Sequence, residues 1–152
     1  MIYLLDVNVL LAMGYEDHKF HTRTTHWLVG VEAIDPALEL ATCSTTELGF
    51  VRIASGNAGF RGDVGSALID LNRLRKQWPF VFFGDGLDAN RLPAWATRSK
   101  QVTDGHLLQL ARHYDATFAT LDEGIPGSLL IPEGAANPTG VRERRLPYGV
   151  AA

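Results

Sequence analysis

Short apolar runs alternate along the chain with longer segments in which apolar residues recur at helical spacing. Runs of four to six mainly apolar residues predict buried strands over residues 2–5, 38–43, 80–83, 116–120 and 128–131. Helical spacing predicts helices over 9–13, 18–33, 44–53, 64–78 and 103–113. Because these runs are mainly apolar and do not alternate between apolar and polar residues, the pattern predicts an α/β protein with a parallel sheet covered by helices on both faces.

Acidic residues stand where the predicted strands end. Asp6 follows the first strand, Glu47 comes a few residues after the second, and Asp122 follows the fourth, while Asp104 opens the helix before it. Ligands of open parallel sheets bind beyond the carboxyl ends of the strands. Carboxylates gathered there repel one another unless protons or a cation intervene, and hard oxygen ligands favour Mg²⁺ or Mn²⁺. The pattern therefore predicts a metal-dependent phosphodiesterase.

Taken one at a time, these acids could instead have structural roles at helix ends or turns. Glu47 lies three residues after Ser44, the spacing of a capping box before an apolar run. Asp104 stands at a helix start, where the helix dipole favours acids, and Asp122 could cap a short turn. Only Asp6, which closes a buried strand, has no evident structural purpose. The joint placement of the four acids, rather than any one of them, favours a functional site.

Other chemistry has weaker support. His18, His21, His26, His106 and His113 show no zinc-ligand spacing, and packing or solvated roles are favoured for them. Cys43, the one cysteine, is expected to be a small buried apolar residue in a reducing, cytoplasmic protein. The sequence contains no phosphate-binding glycine motif.

Length and composition restrict the remaining possibilities. The 152 residues predict one domain, and no run of about 18 apolar residues indicates a membrane span. Asp6 and Asn8 interrupt the apolar amino-terminal run, so a signal peptide is not expected. With 17 acidic and 14 basic residues, the net charge of -3 at first disfavours a nucleic-acid-binding module.

Three segments resemble a known family. LLDVNVLLA, TELGFVRIAS and TDGHLLQLARHYDATFATLD, in that order and spacing, are similar to PIN-domain proteins, and most of all to the VapC group of toxin–antitoxin ribonucleases. The resemblance spans roughly residues 1–131, which we treat as the nuclease domain. Residues 132–152 are expected to form a loosely attached, solvated tail.

The resemblance implies an α/β/α sandwich with a parallel sheet of about five strands, and Mg²⁺- or Mn²⁺-dependent cleavage of RNA, with tRNA or rRNA as the expected substrate. It also implies homodimerisation and inhibition by a cognate antitoxin. The family's four acids fall on the catalytic candidates Asp6, Glu47, Asp104 and Asp122, and the aspartates are the expected metal ligands. Glu47 would bind through water or orient and deprotonate the attacking water.

Four further residues are given supporting roles. Asn8 and Thr103 are expected to orient the carboxylates. Arg52 and Arg112 are candidates for steering the RNA backbone, with solvated helix positions as the alternative.

Two other functions stay open at this point. A haloacid-dehalogenase-type phosphatase also begins with an apolar strand that ends in Asp, but it needs a second Asp where this chain has Asn8. A non-catalytic PIN-like module that binds RNA or protein would not need all four acids. Setting those four acids aside leaves 13 acidic against 14 basic residues, so the net charge does not exclude an RNA substrate.

Overall fold

One sheet of five parallel strands organises the molecule, in the order β3-β2-β1-β4-β5. The computed structural model describes residues 1–56 and 60–134. The strands are β1 (Ile2–Leu5), β2 (Glu39–Cys43), β3 (Phe80–Phe83), β4 (Thr117–Thr120) and β5 (Leu129–Leu130). In the centre, Leu4 of β1 pairs with Ala41 of β2 and Phe118 of β4.

Five helices connect and cover the strands. They are α1 (Val7–Gly14), α2 (His21–Ile34), α3 (Ser44–Ala54), α4 (Val64–Gln77) and α5 (Val102–His113), with 3₁₀ turns at Ala89–Arg91 and Ser99–Gln101. Every predicted helix and strand is present, and the ends differ from the prediction by up to three residues. The structure confirms a three-layer α/β/α sandwich with a parallel five-stranded sheet.

The two sheet faces carry separate apolar cores because successive strand residues point to opposite sides. Tyr3 and Leu5 face the core formed with α1, α2, α3 and α4, whereas Leu4 and Phe118 face the core formed with α5. Each core includes fully buried side chains of the central strands, such as Leu5 on one face and Leu4 on the other. Burial on both faces is the reason that the central strands are mainly apolar.

Two details of burial differ from what the spacing of apolar residues predicts. In α4, the spacing of Val64, Ala67, Leu68, Leu71, Leu74 and Trp78 predicts one buried face, but Val64 and Leu68 are 54% and 44% exposed. In α2, the amphipathic pattern predicts that polar residues face outward, but Thr24 and Thr25 are buried.

The predicted tail is largely outside the described residues. Residues 132–134 follow β5, and residues 135–152 lie outside the described part of the chain. The division at residue 131 therefore stays a prediction. Within residues 1–56 and 60–134, none of the helices is both long and apolar enough to cross a membrane.

Strand order places a topological switch point between β1 and β4. From β1 the chain moves outward through β2 to β3, and it later returns to β4 on the other side of β1 before reaching β5. Neighbouring connections leave these two strands in opposite directions, so a crevice opens beyond their carboxyl ends. The strand order alone therefore predicts one ligand-binding position, at the carboxyl ends of β1 and β4.

A close helix contact beside this crevice generates a stability prediction. A Cβ added at Gly49 of α3 would lie 2.6 Å from Cγ2 of Val7, the first residue of α1. Val7 is β-branched and stiff, so Gly49→Ala should lower the free energy of unfolding by about 1 to 3 kcal/mol, measured by urea denaturation. The control is Gly30→Ala in α2, where nothing lies within 4 Å and alanine should stabilise the helix by up to about 1 kcal/mol. Equal effects at both positions would contradict the close-contact interpretation.

Candidate metal centre

Three aspartates meet at the switch point. Asp6 follows β1, Asp122 comes two residues after β4, and Asp104 lies in the first turn of α5. One carboxylate oxygen from each lies within 4.8 Å of the others. Asp6 is buried, Asp104 is half-buried and Asp122 is exposed, so the group extends from the sheet edge to the solvent. The structure brings together three of the four acids that the sequence singled out.

Asp6 is held from two sides. Its Oδ1 accepts a hydrogen bond of 2.8 Å from the backbone N–H of Val7, and its Oδ2 accepts one of 2.7 Å from the hydroxyl of Thr120 at the end of β4. The backbone N–H of Asp6 also donates to the carbonyl of Ala119 at 3.0 Å. Asp6 therefore caps α1, and the expectation that it has no structural purpose is wrong.

Thr120 is a site residue that sequence reasoning missed. It is fully buried, and besides its contact with Asp6 it accepts a hydrogen bond of 3.0 Å from the backbone N–H of Asp122. A polar side chain at the buried end of an apolar strand, two residues before an acid, was the available signal. One hydroxyl thus fixes the spacing of two of the aspartates.

Burial and mutual repulsion disfavour the charged forms of these acids. The pKa of Asp6 is raised to about 6. Burial is the largest cause and the charges of Asp104 and Asp122 add to it, while the hydrogen bonds from Thr120 and Val7 oppose it. Burial also raises the pKa of Asp104, together with the charge of Asp122. Near neutral pH the group is poised to share a proton or to bind a cation.

The donor set fits a hard divalent cation. All three side chains offer carboxylate oxygens, the ligand type that Mg²⁺ and Mn²⁺ prefer. Among the described residues this is the one group of three or more acidic, histidine or cysteine side chains close enough to share an ion. No hydrogen bond occupies the carboxylate of Asp104 within the described part of the chain, so its oxygens are available for an ion.

Of the two residues expected to orient the carboxylates, Asn8 forms hydrogen bonds to an aspartate and Thr103, in the described part of the chain, does not. The amide of Asn8 donates to Asp122 at 3.3 Å to each carboxylate oxygen, as expected of an orienting residue. Thr103 makes no hydrogen bond to an aspartate within the described residues and lines a neighbouring cleft with Val7 and Arg52 instead. Thr120 performs the role that was predicted for Thr103.

Glu47 stands apart from the three aspartates. Its Oε1 accepts a 2.9 Å hydrogen bond from the hydroxyl of Thr42 and lies 2.9 Å from a guanidinium nitrogen of Arg75. The predicted capping box between Ser44 and Glu47 is absent. The hydroxyl of Thr46 caps α3 instead, accepting a hydrogen bond of 3.0 Å from the backbone N–H of Cys43. Glu47 is therefore free of a helix-capping role.

A second polar cluster braces the crevice. Asp85, in the loop after β3, accepts a hydrogen bond of 2.9 Å from the hydroxyl of Thr45 and lies 2.6 Å from Nε2 of His106. Thr45 is two residues from Glu47, and His106 is two residues from Asp104. Asp85 consequently ties the start of α3 to the start of α5, a link that sequence reasoning did not foresee.

The two arginines proposed to steer RNA lie in different places. Arg52 lies in the last turn of α3 and lines the same cleft as Thr103. Arg112 lies two turns along α5 from Asp104, next to Gly127 in the connection to β5. Neither position shows a contact with the three aspartates.

The raised pKa of Asp6 generates a pH prediction. Because the folded-state value of about 6 exceeds the ordinary 3.8, the protein is most stabilised by this group below about pH 4 and loses that contribution as the pH rises through 6. In metal-free buffer, the stability of wild type relative to Asp6→Asn should fall by about 2 to 3 kcal/mol between pH 4 and 7. Urea denaturation across this range measures the difference. If the stability of Asp6→Asn changes with pH in parallel with that of wild type, the raised pKa of Asp6 is refuted.

The chain is similar to several ribonucleases of Mycobacterium tuberculosis. It is 35% identical to ribonuclease VapC29 over 128 residues, which cover 82% of this chain and 89% of that protein. It is 36% identical to ribonuclease VapC44 over 132 residues, covering 80% and 87%, and 34% identical to ribonuclease VapC38 over 128 residues, covering 80% and 86%. No protein-family model matches the chain. The extent of these similarities, together with the parallel sheet, shows that the chain belongs to the VapC family of PIN-domain proteins.

Proposed function

We propose that this protein is a Mg²⁺- or Mn²⁺-dependent endoribonuclease, the toxin of a toxin–antitoxin pair. The observation that carries the proposal is the convergence of Asp6, Asp104 and Asp122 within 4.8 Å at the switch point of the sheet. The relatives that this chain matches over four-fifths of its length are named ribonucleases, which supports RNA as the substrate.

Asp6, Asp104 and Asp122 would hold the cation. A divalent ion there supplies Lewis-acid chemistry, stabilising negative charge on phosphoryl oxygens and increasing the acidity of water. Thr120 and the backbone of Val7 fix Asp6 in place, and Asn8 orients Asp122, so the carboxylates need little rearrangement.

Glu47 is proposed to orient the attacking water. Both of its contacts, with Thr42 and Arg75, use Oε1, so Oε2 has no partner among the described residues. Oε2 can accept a hydrogen bond from water while the opposite oxygen keeps the side chain in place. Such positioning contributes by holding reactants in a productive geometry.

The partners follow from the same proposal. A VapC-type toxin acts on structured RNA, with tRNA or rRNA as the proposed class, and is held inactive by a cognate antitoxin. A homodimer and a cytoplasmic location are proposed with it. Sedimentation of the purified full chain should give twice the 16.6 kDa monomer mass. A monomer across the micromolar range would refute the dimer and leave the nuclease proposal standing.

The decisive experiment compares two acids in RNA cleavage. Asp104→Asn and Asp6→Asn should each lower the cleavage rate of total tRNA in Mn²⁺ by at least about 100-fold, because each removes a cation ligand. Asp88→Asn is the matched control: Asp88 is exposed and caps a 3₁₀ turn, a role that asparagine also fulfils. Cleavage is followed by gel electrophoresis and by mapping of the new 5′ ends.

Cation binding needs its own measurement. Mn²⁺ at about 100 times its dissociation constant should stabilise wild type by roughly 2.7 kcal/mol and Asp104→Asn much less, which calorimetry and thermal unfolding detect without any RNA. Cleavage that persists in excess EDTA, or undiminished cleavage by purified Asp6→Asn, would overturn the mechanism.

A further inference from the structure

The crevice beside the aspartates also carries residues of opposite charge. A cleft of about 440 Å³ is lined by three acids, Asp104, Asp122 and Glu123, and by Trp95, Arg98 and Lys100. Trp95, Arg98 and Lys100, which we call the wall of the cleft, belong to the segment between β3 and α5. Arg98 and Lys100 are exposed, and neither forms an ion pair with a residue in the described ranges 1–56 and 60–134. Their charges are therefore available to an anion from solution.

The wall is fixed to the helix that carries Asp104. The side-chain oxygen of Gln101 accepts hydrogen bonds from the backbone N–H groups of Thr97 and Arg98, at 3.1 and 3.0 Å. A Cβ added at Gly105 of α5 would lie 3.0 Å from Pro93 and 3.1 Å from Ala96, so the segment packs directly against that helix. The backbone that carries Arg98 and Lys100 is thus held against the helix of Asp104 before a ligand binds, which lowers the entropic cost of binding.

The charges are arranged for a polyanion rather than for a single small anion. Carboxylates at the centre of the crevice repel phosphate, and cations a short distance away attract it. A nucleic-acid strand presents phosphates at regular intervals, so one can lie at the cation-binding centre while its neighbours lie on the wall. Trp95 is partly buried, packs against the apolar core formed with α5, and also lines the cleft. Aromatic faces stack on unpaired bases.

We propose that Trp95, Arg98 and Lys100 form the RNA-binding wall of the cleft. Arg98 and Lys100 bind backbone phosphates adjacent to the one that is cut, and Trp95 stacks on an unpaired base. This inference rests on the proposed ribonuclease function. It selects the connection between β3 and α5, rather than Arg52 or Arg112, as the part of the chain that holds the substrate.

The test separates binding from cleavage. In an Asp104→Asn background, which binds but is not expected to cut, the affinity for a fluorescein-labelled 20-nucleotide single-stranded RNA of mixed sequence is measured by anisotropy. Arg98→Gln/Lys100→Gln should weaken binding at least about 10-fold and reduce the slope of log affinity against log salt by about 1.4, or about 0.7 for each phosphate that is no longer neutralised. In the wild-type background, thermal unfolding of the same double variant should not change, and its Mn²⁺ affinity should not fall, because removing two nearby cations cannot weaken the binding of another.

A matched control removes the same charge elsewhere. Lys19→Gln/Lys76→Gln also removes two exposed cations, but Lys76 lies at the end of α4 that leads into β3, Lys19 lies between α1 and α2, and neither lines the cleft. This variant should bind RNA as the background does. For Trp95, the Leu variant should lose affinity and the Phe variant should retain most of it, because phenylalanine still stacks.

The outcomes distinguish this inference from the proposed function. If wild type cuts RNA, and Arg98→Gln/Lys100→Gln binds and cuts RNA equally well, the proposed RNA-binding wall is refuted. The proposed nuclease function then still stands. Equal losses of RNA affinity in both double variants would show that only net charge matters. That result would also refute the proposed RNA-binding wall. Specific loss of binding in a protein that cuts no RNA in Mg²⁺ or Mn²⁺ would support the wall and refute the nuclease.

Discussion

Repulsion among three carboxylates is the constraint around which the active end of this molecule is built. Parallel pairing of β1 with β4 places Asp6 and Asp122 side by side, and the start of α5 adds Asp104. The buried Thr120 hydroxyl and the first turn of α1 hold Asp6 where its charge is least favourable, as its raised pKa of about 6 indicates. The apolar cores on both faces of the sheet resist the separation that repulsion would otherwise cause, so a cation is the natural means of relieving it.

Sequence patterns predicted the strands, the helices and the aspartate group because each depends on local information. A continuous apolar run identifies a strand that is buried on both faces, and an acid at its end identifies the edge at which ligands bind. The hydrogen bonds of Asp85 and Thr120 could not be predicted in this way, because each joins residues that lie far apart in the chain. Asp85 meets Thr45 and His106 across 40 and 21 residues of chain, and Thr120 meets Asp6 across 114. No spacing rule within one segment describes such pairs.

Glu47 shows how a one-residue shift changes the interpretation of a motif. Ser44 and Glu47 have the spacing of a capping box, but β2 continues through Cys43, and α3 begins directly after it. The cap therefore forms one residue earlier, between Cys43 and Thr46. The glutamate is then available to Thr42 and Arg75, contacts that depend on the packing of α4 against α3. Sequence alone left the capping and site interpretations of Glu47 equal; the structure excludes the capping box, and the site role stays a proposal.

Local charge, rather than total charge, governs what this surface can bind. A net charge of -3 describes a mean over 152 residues, whereas phosphate responds to charges within a Debye length of about 10 Å. One cleft is lined both by the acids Asp104, Asp122 and Glu123 and by the cations Arg98 and Lys100. Direct ion pairs between the two sides would cancel the field, but among the described residues Arg98 and Lys100 form none. Keeping the charges apart preserves two distinct subsites, one suited to a cation and one to phosphate, and a nucleic-acid strand is the ligand that can use both.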